Sequence, residues 1–347
     1  MVDRATVVVT GAAGWLGRSL VNRYATMFEQ GSIDRLIGLV HRPEDVHALF
    51  RDLPAQVAKR VQVLPVDLGD TASMSRVFAD LDGPFDVVHT AGLIHPRRID
   101  ELFRVNVEGT RHLTDVARRA RIFVHVSSNS PFGTNPDPED RFREQEPYNP
   151  YLAYGRSKME AEFAILDAVE TGLNAVIVRP PWFYGPFQPE RQTTFFSLVR
   201  RGRFPIFGAG DQNRSMVYVD NLVDGIERAR SWRGDPGRAW WIADERPYSV
   251  REIVDTVGRA LRDEGFFVTP PAVRLPTFVG AMAETADRLV QSTGGYVQAL
   301  HVLGEMNKTI ACDIAAARRD LGYQPQVSLY DGMRNSIRWC LGRGIRL

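Results

Sequence analysis

The chain predicts an α/β protein, a doubly wound parallel sheet followed by a smaller α+β C-terminal lobe. Three observations carry that prediction. An apolar run near the N-terminus, Val7-Val8-Val9-Thr10, breaks into glycines at Gly11, Gly14 and Gly17 and then into a helical pattern. Short β-branched runs then alternate with amphipathic segments as far as residue 180, the rhythm of parallel strands joined by crossover helices. Beyond Pro180-Pro181 the segments shorten and the rhythm changes. Residues 1–180 are therefore expected to form the first unit and 181–347 mainly the second, with the chain returning to the sheet around 208–245.

The first strand and its glycines read as strand, tight turn and helix. Gly11 lets the chain turn sharply, Gly14 lets backbone approach a pyrophosphate, and Gly17 lets the helix pack on the sheet. The first helical turn, with Trp15 and Leu16, offers unpaired N–H groups and a partial positive charge to an anion. This is the dinucleotide-binding Rossmann arrangement. The alternative is a turn that needs Gly for φ > 0 with nothing bound. The strand before it and the amphipathic residues Leu16, Leu20, Val21 and Tyr24 after it favour the dinucleotide.

Composition narrows the partners. At 347 residues and 44% hydrophobic content the chain can bury a large core. Lys+Arg (43) and Asp+Glu (42) are nearly equal and interspersed, so nothing suggests a nucleic-acid footprint or a membrane-surface patch. Small-molecule ligands, anionic ones among them, are expected. Cys312 and Cys340 lack partners at metal spacing and are too few for a disulfide framework, which reads as two packed thiols, no metal and a reducing compartment. No apolar stretch reaches the roughly 18 residues of a membrane span, and the first strand begins at once without a basic n-region and h-region. A cytoplasmic protein is expected.

Taken in order, Arg35 to Val40 reads as a second strand ending in His41-Arg42-Pro43, where NAD-specific sites usually carry a carboxylate for the ribose hydroxyls. Basic side chains there can meet a 2′-phosphate through charge-assisted hydrogen bonds, so NADP is favoured, with Arg42 and either His41 or Arg18 as contacts. The alternative is a solvated pair. Val61 to Val66 is a third strand, and Asp67-Leu68 at its end places a carboxylate for the adenine amino group unless the acid serves as a helix cap. Phe85 to His89 is a fourth, and the small residues Thr90-Ala91-Gly92 leave room for a cofactor ribose. Phe103 to Ala120 reads as a helix carrying Asn106, and Ile122 to Val126 as a fifth strand ending in Ser127-Ser128. Ligands of such sheets sit at the carboxyl ends of the strands, so Ser128 is on the ligand side.

Pro131 to Pro150 lacks periodicity and is long enough to be a functional loop bordering a substrate. Tyr154 and Lys158 follow, one turn apart on one face of a helical pattern that runs to Ala168. Asn174 to Val178 is a sixth strand. The second lobe then interleaves helices (Thr193 to Arg201, Asn221 to Ala229, Val250 to Leu261) with brief strands (Pro205 to Phe207, Met216 to Val219, Ala239 to Ile242).

A tyrosine and a lysine four apart are common by chance, and the bland alternative is a surface pair. Ser128 upstream and the glycine loop before it favour chemistry. Hydride exchange between a carbinol and a nicotinamide needs a proton to leave or reach the oxygen, and Tyr154 is the acid/base candidate. Its ordinary pKa near 10 requires a nearby cation, for which Lys158 is expected. Ser128 would orient the alkoxide or carbonyl.

With these residues in view the chain resembles the extended short-chain dehydrogenase/reductases, the family of NAD-dependent sugar-nucleotide epimerases and dehydratases. The resemblance spans nearly the full length through Gly11/Gly14/Gly17, Asp67, Asn106, Ser128, Tyr154/Lys158 and Arg179-Pro180…Tyr184-Gly185-Pro186. It implies that Lys158 also holds ribose hydroxyls and that Asn106 and Pro181 border the cofactor. It further implies that Asn129 borders the substrate and that Arg214, in Gly208 to Asn221, binds the diphosphate of a nucleotide sugar. A homodimer through the Tyr154 helix is implied as well. Two departures matter: the acid after the second strand is absent, and Asn129-Ser130 stands where 4,6-dehydratases carry Asp-Glu, which argues against dehydration. The expected function is oxidation and re-reduction of a secondary alcohol of a nucleotide-activated sugar. The alternative, favoured by Thr90-Ala91-Gly92, is an NADP-dependent reductase or dehydrogenase of a 3β-hydroxysteroid-like or other bulky carbonyl substrate.

Overall fold

The computed structural model describes residues 5–53 and 55–347. One parallel sheet organises it: β1 (Thr6–Thr10), β2 (Arg35–Val40), β3 (Val61–Pro65), β4 (Phe85–His89), β5 (Ile122–Val126), β6 (Ala175–Arg179) and a last strand, Ala239–Trp241. Their spatial order is Ala239–Trp241, β6, β5, β4, β1, β2, β3, so the winding reverses at β1. In open α/β sheets a crevice opens beyond the carboxyl ends at such a switch point.

Successive side chains of a strand point to opposite faces. Val7 and Val9 accordingly join one core with Val88, Val124, Val126, Val176 and Val178, while Val8 joins another with Val87, Phe123, Ala175 and Ile177. Helix α1 (Trp15–Glu29) and the helix Val219–Arg230 cover the first core through Leu20, Val21, Tyr24, Leu222 and Ile226. The helices Thr71–Ala79, Gly109–Val116 and Leu152–Glu170 cover the second through Met74, Phe78, Leu113, Ile165 and Ala168. Burial on both faces is why the strands read as unbroken apolar runs rather than alternating ones.

The remainder is built from short pairs. Met216–Tyr218 runs parallel to Trp182–Tyr184, Tyr248–Ser249 antiparallel to Asn213–Arg214, and Arg274–Leu275 parallel to Ile206–Phe207. Two helices, Thr277–Ser292 and Gln298–Glu305, pack against each other after them. Among the described residues no helix is long and apolar enough to cross a membrane.

The helix expected over Phe103 to Ala120 differs in detail. It starts at Asp100, is π-helical over Phe103–Glu108 and ends as an α-helix at Val116. A tight turn in which the Ala120 N–H donates to the Ala117 carbonyl (2.8 Å) stops it and feeds the chain into β5. The stretch Pro131 to Pro150 is packed rather than free. Phe132 and Phe142 are buried beside Trp241, and Phe142 N–H donates to the Ala311 carbonyl at 2.8 Å.

A Cβ on Gly17 would collide with the Gly11 carbonyl oxygen and stand 2.8 Å from Ala12 Cα. Gly17→Ala is therefore expected to destabilise the fold by about 1–3 kcal/mol, the usual result of overpacking, and to weaken dinucleotide binding. Urea unfolding measures the first effect, and an unchanged midpoint would mean that the turn can shift without strain.

Candidate active site

The turns after β1 and β4 form the floor of the crevice. Gly11 has φ +66°, and a Cβ there would lie 2.7 Å from Ala91 Cα. The Thr90 hydroxyl donates to the Thr10 carbonyl (2.7 Å), and Ala91 N–H donates to Thr10 Oγ1 (3.2 Å). Gly92 is exposed at the rim. Asn106 lies behind this turn. Its Oδ1 accepts Leu93 N–H (2.7 Å), and its Nδ2 donates to the Leu93 carbonyl (2.9 Å) and to Ser157 Oγ (3.0 Å). Its buried amide ties the β4 turn to the helix Leu152–Glu170.

Along the far rim, His41 and Arg42 are exposed after β2, and Arg42 N–H donates to Asp45 Oδ2 at 3.1 Å. Asp67 Oδ1 accepts Gly69 N–H (2.9 Å), shaping the turn after β3, whereas Asp70 is the helix cap, accepting from Ala72 and Ser73 N–H. Leu68 is buried, and a Cβ on Gly109 would sit 2.9 Å from its own Cβ.

Ser128, just beyond β5, lies near enough to the Tyr154 phenol to lower its pKa, and its hydroxyl accepts Ser130 N–H at 3.3 Å. Asn129 turns the chain there, its carbonyl accepting Phe132 N–H at 2.9 Å. Tyr154 follows Leu152, which enters its helix in the left-handed region at φ +52°. For a residue with a Cβ that conformation costs roughly 1–2 kcal/mol. Lys158, 5% exposed, donates from Nζ to the Val126 carbonyl at 2.9 Å.

Burial pushes the Tyr154 phenol up to about 12, opposed by Ser128, with Glu305 raising it and Arg191 lowering it. Arg191 is thus a cation that lowers the phenol pKa in this structure, while the Lys158 ammonium points to the Val126 carbonyl. The backbone carbonyl at Val126 has turned the ammonium inward. Burial lowers Lys158 to about 8, Glu162 opposing. Burial, and then the Lys158 charge, also hold His89 down at about 3 and His125 well below its usual value, so both stay neutral behind the site.

The second lobe supplies the facing wall. Trp15 Nε1 donates to the Pro186 carbonyl (2.6 Å), and its ring centroid is 4.5 Å from that of Phe183, joining α1 to the segment after the buried Pro181. The Arg191 guanidinium lies 6.0 Å over the Trp15 ring. Arg214 donates to the Glu305 main-chain carbonyl. His95 Nδ1 is 2.9 Å from the Tyr296 hydroxyl, and His301 Nδ1 is 2.9 Å from Asp287 Oδ2. None of His95, Arg191, Asp287, Tyr296, His301 and Glu305 emerges from sequence patterning, since no motif or periodicity links residues brought together from four separate segments.

The sequence profile of the NAD dependent epimerase/dehydratase family matches residues 7–243. The chain belongs to that family. An uncharacterized protein, y4nL, of Sinorhizobium fredii is 43% identical over 97% of this chain and 96% of its own. A 2-alkyl-3-oxoalkanoate reductase of Shewanella oneidensis is 25% identical over 94% of this chain and 84% of its own. The UDP-glucuronic acid 4-epimerase of Bacillus cereus, solved in complex with NAD, has the same fold, with TM-score 0.74 and 21% identity over 97% of this chain and 99% of its own.

The family's nicotinamide dinucleotide fits the residues present. No side chain caps the N-terminus of α1, Gly14 is exposed, and a Cβ there would meet nothing closer than the Gly11 carbonyl oxygen at 3.1 Å. The first-turn amides of Trp15, Leu16 and Gly17 are thus left for an anion.

Lys158 gives a pH-dependent test. Its pKa falls from the ordinary 10.5 to about 8 on folding, so between those values the unfolded chain binds more protons and stability rises with pH. Below pH 8 its burial costs about 3 kcal/mol. Lys158→Met should flatten this rise, so that the variant gains on the wild type near neutral pH and loses that gain towards pH 10. Urea titrations across this range measure it, and a difference independent of pH would contradict a buried ammonium.

Proposed function

We propose that the chain exchanges a hydride with a secondary alcohol of a nucleotide-activated sugar, through Ser128, Tyr154 and Lys158. The observation that carries this reading is the proximity of Ser128 to the Tyr154 phenol, whose pKa it lowers, at the carboxyl edge of the sheet whose β1 leads into the uncapped N-terminus of α1. The dinucleotide, held by the Gly11 to Gly17 turn and the β4 turn, supplies the hydride acceptor and donor. With its pKa near 12 the phenol is protonated at neutral pH, so it stands ready to donate to a substrate carbonyl oxygen. In the opposite direction the phenol must first release its proton to solvent, and the phenolate then receives the alcohol proton; Ser128 and the Arg191 charge, which lower its pKa, assist that ionisation. Ser128 orients the same oxygen, and Lys158 stands one turn along the helix for ribose hydroxyls. The exposed His41 and Arg42, standing where an acid would be expected after β2, support NADP over NAD. Residues 181–347 act mainly as the substrate lobe.

Tyr154→Phe removes only the ionisable oxygen. Turnover should fall by about 10²–10⁴-fold while dinucleotide affinity stays, as measured by steady-state rates and calorimetry. Retention of more than about a tenth of the wild-type rate would remove Tyr154 as the proton carrier.

Arg214 separates this reading from a second. Its engagement with the Glu305 carbonyl under the helical pair, and the Shewanella oneidensis reductase among the relatives, favour a bulky carbonyl substrate. If Arg214 instead clamps a diphosphate, Arg214→Ala should raise KM for a UDP- or GDP-sugar about tenfold or more without changing dinucleotide affinity. A wild type whose melting temperature no nucleoside diphosphate shifts, but which turns over an apolar ketone with NADPH, would establish the reductase reading.

A further inference from the structure

The wall facing Ser128 and Tyr154 carries a polar cluster that hydride transfer does not use. Asp287, on the helix Thr277–Ser292, has no exposed surface. Its Oδ2 lies 2.9 Å from His301 Nδ1, and its Oδ1 accepts from Gln291 Nε2 at 3.0 Å. Gln291 Oε1 in turn accepts the main-chain N–H of Ala153 at 3.1 Å, between the left-handed Leu152 and Tyr154. The cluster is therefore built onto the start of the Tyr154 helix.

A carboxylate at Nδ1 fixes the orientation of an imidazole and leaves Nε2 as its working end. His301 Nε2 has no hydrogen-bond partner among the described residues. Its ring is 5.3 Å from Tyr151, whose buried hydroxyl also lacks one there, and 5.6 Å from Tyr296. Burial lowers the His301 pKa, but the Asp287 hydrogen bond and the Glu305 and Asp287 charges outweigh it, so the imidazolium persists to higher pH than in a free histidine. Charge on this wall is uneven. Asp287 pairs with His301, and Glu305 acts on Arg214 as well as on His301, so these two anions face three cations and Arg191 is the one in excess.

We propose that His301, oriented by Asp287, is a specificity-determining residue that donates Nε2–H to a carboxylate of the substrate, with Arg191 as the neighbouring cation. The substrate class is then a secondary alcohol or ketone that also carries a carboxylate, supplied either by a nucleotide-linked sugar acid or by an oxo acid. This rests on Ser128, Tyr154 and Lys158 being the hydride-transfer site.

Two matched pairs of probes test it with the dinucleotide-loaded protein: UDP-glucuronate against UDP-glucose by calorimetry, and a long-chain 3-oxo acid against its methyl ester by NAD(P)H oxidation. In the pair that the wild type accepts, the acid is favoured about tenfold or more, as a charged hydrogen bond implies. His301→Gln removes that preference by weakening the acid far more than the neutral member, with dinucleotide affinity unchanged, whereas a merely structural role would weaken both probes alike. Asp287→Asn shifts the preference in the same direction. Equal handling of acid and neutral probe by the wild type, which needs no variant to fold, overturns the proposal, as does a preference that survives in His301→Gln or failure of both acids to bind. Turnover of the neutral probes that withstands Tyr154→Phe would instead count against the hydride-transfer site, so the two failures are distinguishable.

Discussion

The turn after β1 rests on the turn after β4 with no side chain between them. Gly11 is held at positive φ against the Ala91 backbone, and Thr10 closes the contact from both sides through its carbonyl and hydroxyl. Everything at the carboxyl edge depends on this close approach. It sets where α1 begins, leaves the first-turn amides uncovered, and places the β4 turn where Asn106 can pin it to the helix that carries Tyr154 and Lys158. A side chain at Gly11 or Gly17 would separate layers that the rest of the site takes as fixed.

Electrostatics in the crevice follows from burial more than from pairing. The phenol is held protonated and the ammonium is destabilised, because both have left water without an opposite charge in contact. The Lys158 proton is held by a neutral backbone carbonyl, a weaker partner than a carboxylate. The two histidines behind it stay neutral, so the layer beneath the site adds no competing positive charge. The field on Tyr154 then comes from the second lobe, through Arg191 and Glu305.

The two lobes are joined by specific contacts rather than by a smooth surface. Trp15 reaches from the glycine turn to Pro186, and Gln291 reaches from the helical pair to Ala153. Each contact starts or ends within a few residues of the glycine turn, Tyr154 or the facing wall. A shift of the helical pair would therefore be felt first at the strained entry to the Tyr154 helix.

Local pattern determined much of this molecule. Three glycines after an apolar strand specify the β1 turn, because that geometry depends on residues adjacent in the chain. Unbroken β-branched runs specify strands buried on both faces, and the four-residue step from Tyr154 to Lys158 puts them on one helix face whatever surrounds it. Other features depended on packing between distant segments. The inward turn of Lys158 was decided by where the Val126 carbonyl lies, and the engagement of Asn106 by a π-helical turn that no periodicity announces. The Asp287–His301 pair and its neighbours His95, Tyr151, Tyr296 and Arg191 meet only when the helical pair folds back over the sheet. A sequence pattern records which face of a segment is buried, but the identity of the side chains across a cleft is set by tertiary contact, where hydrogen-bond geometry and burial act between residues with no spacing in common.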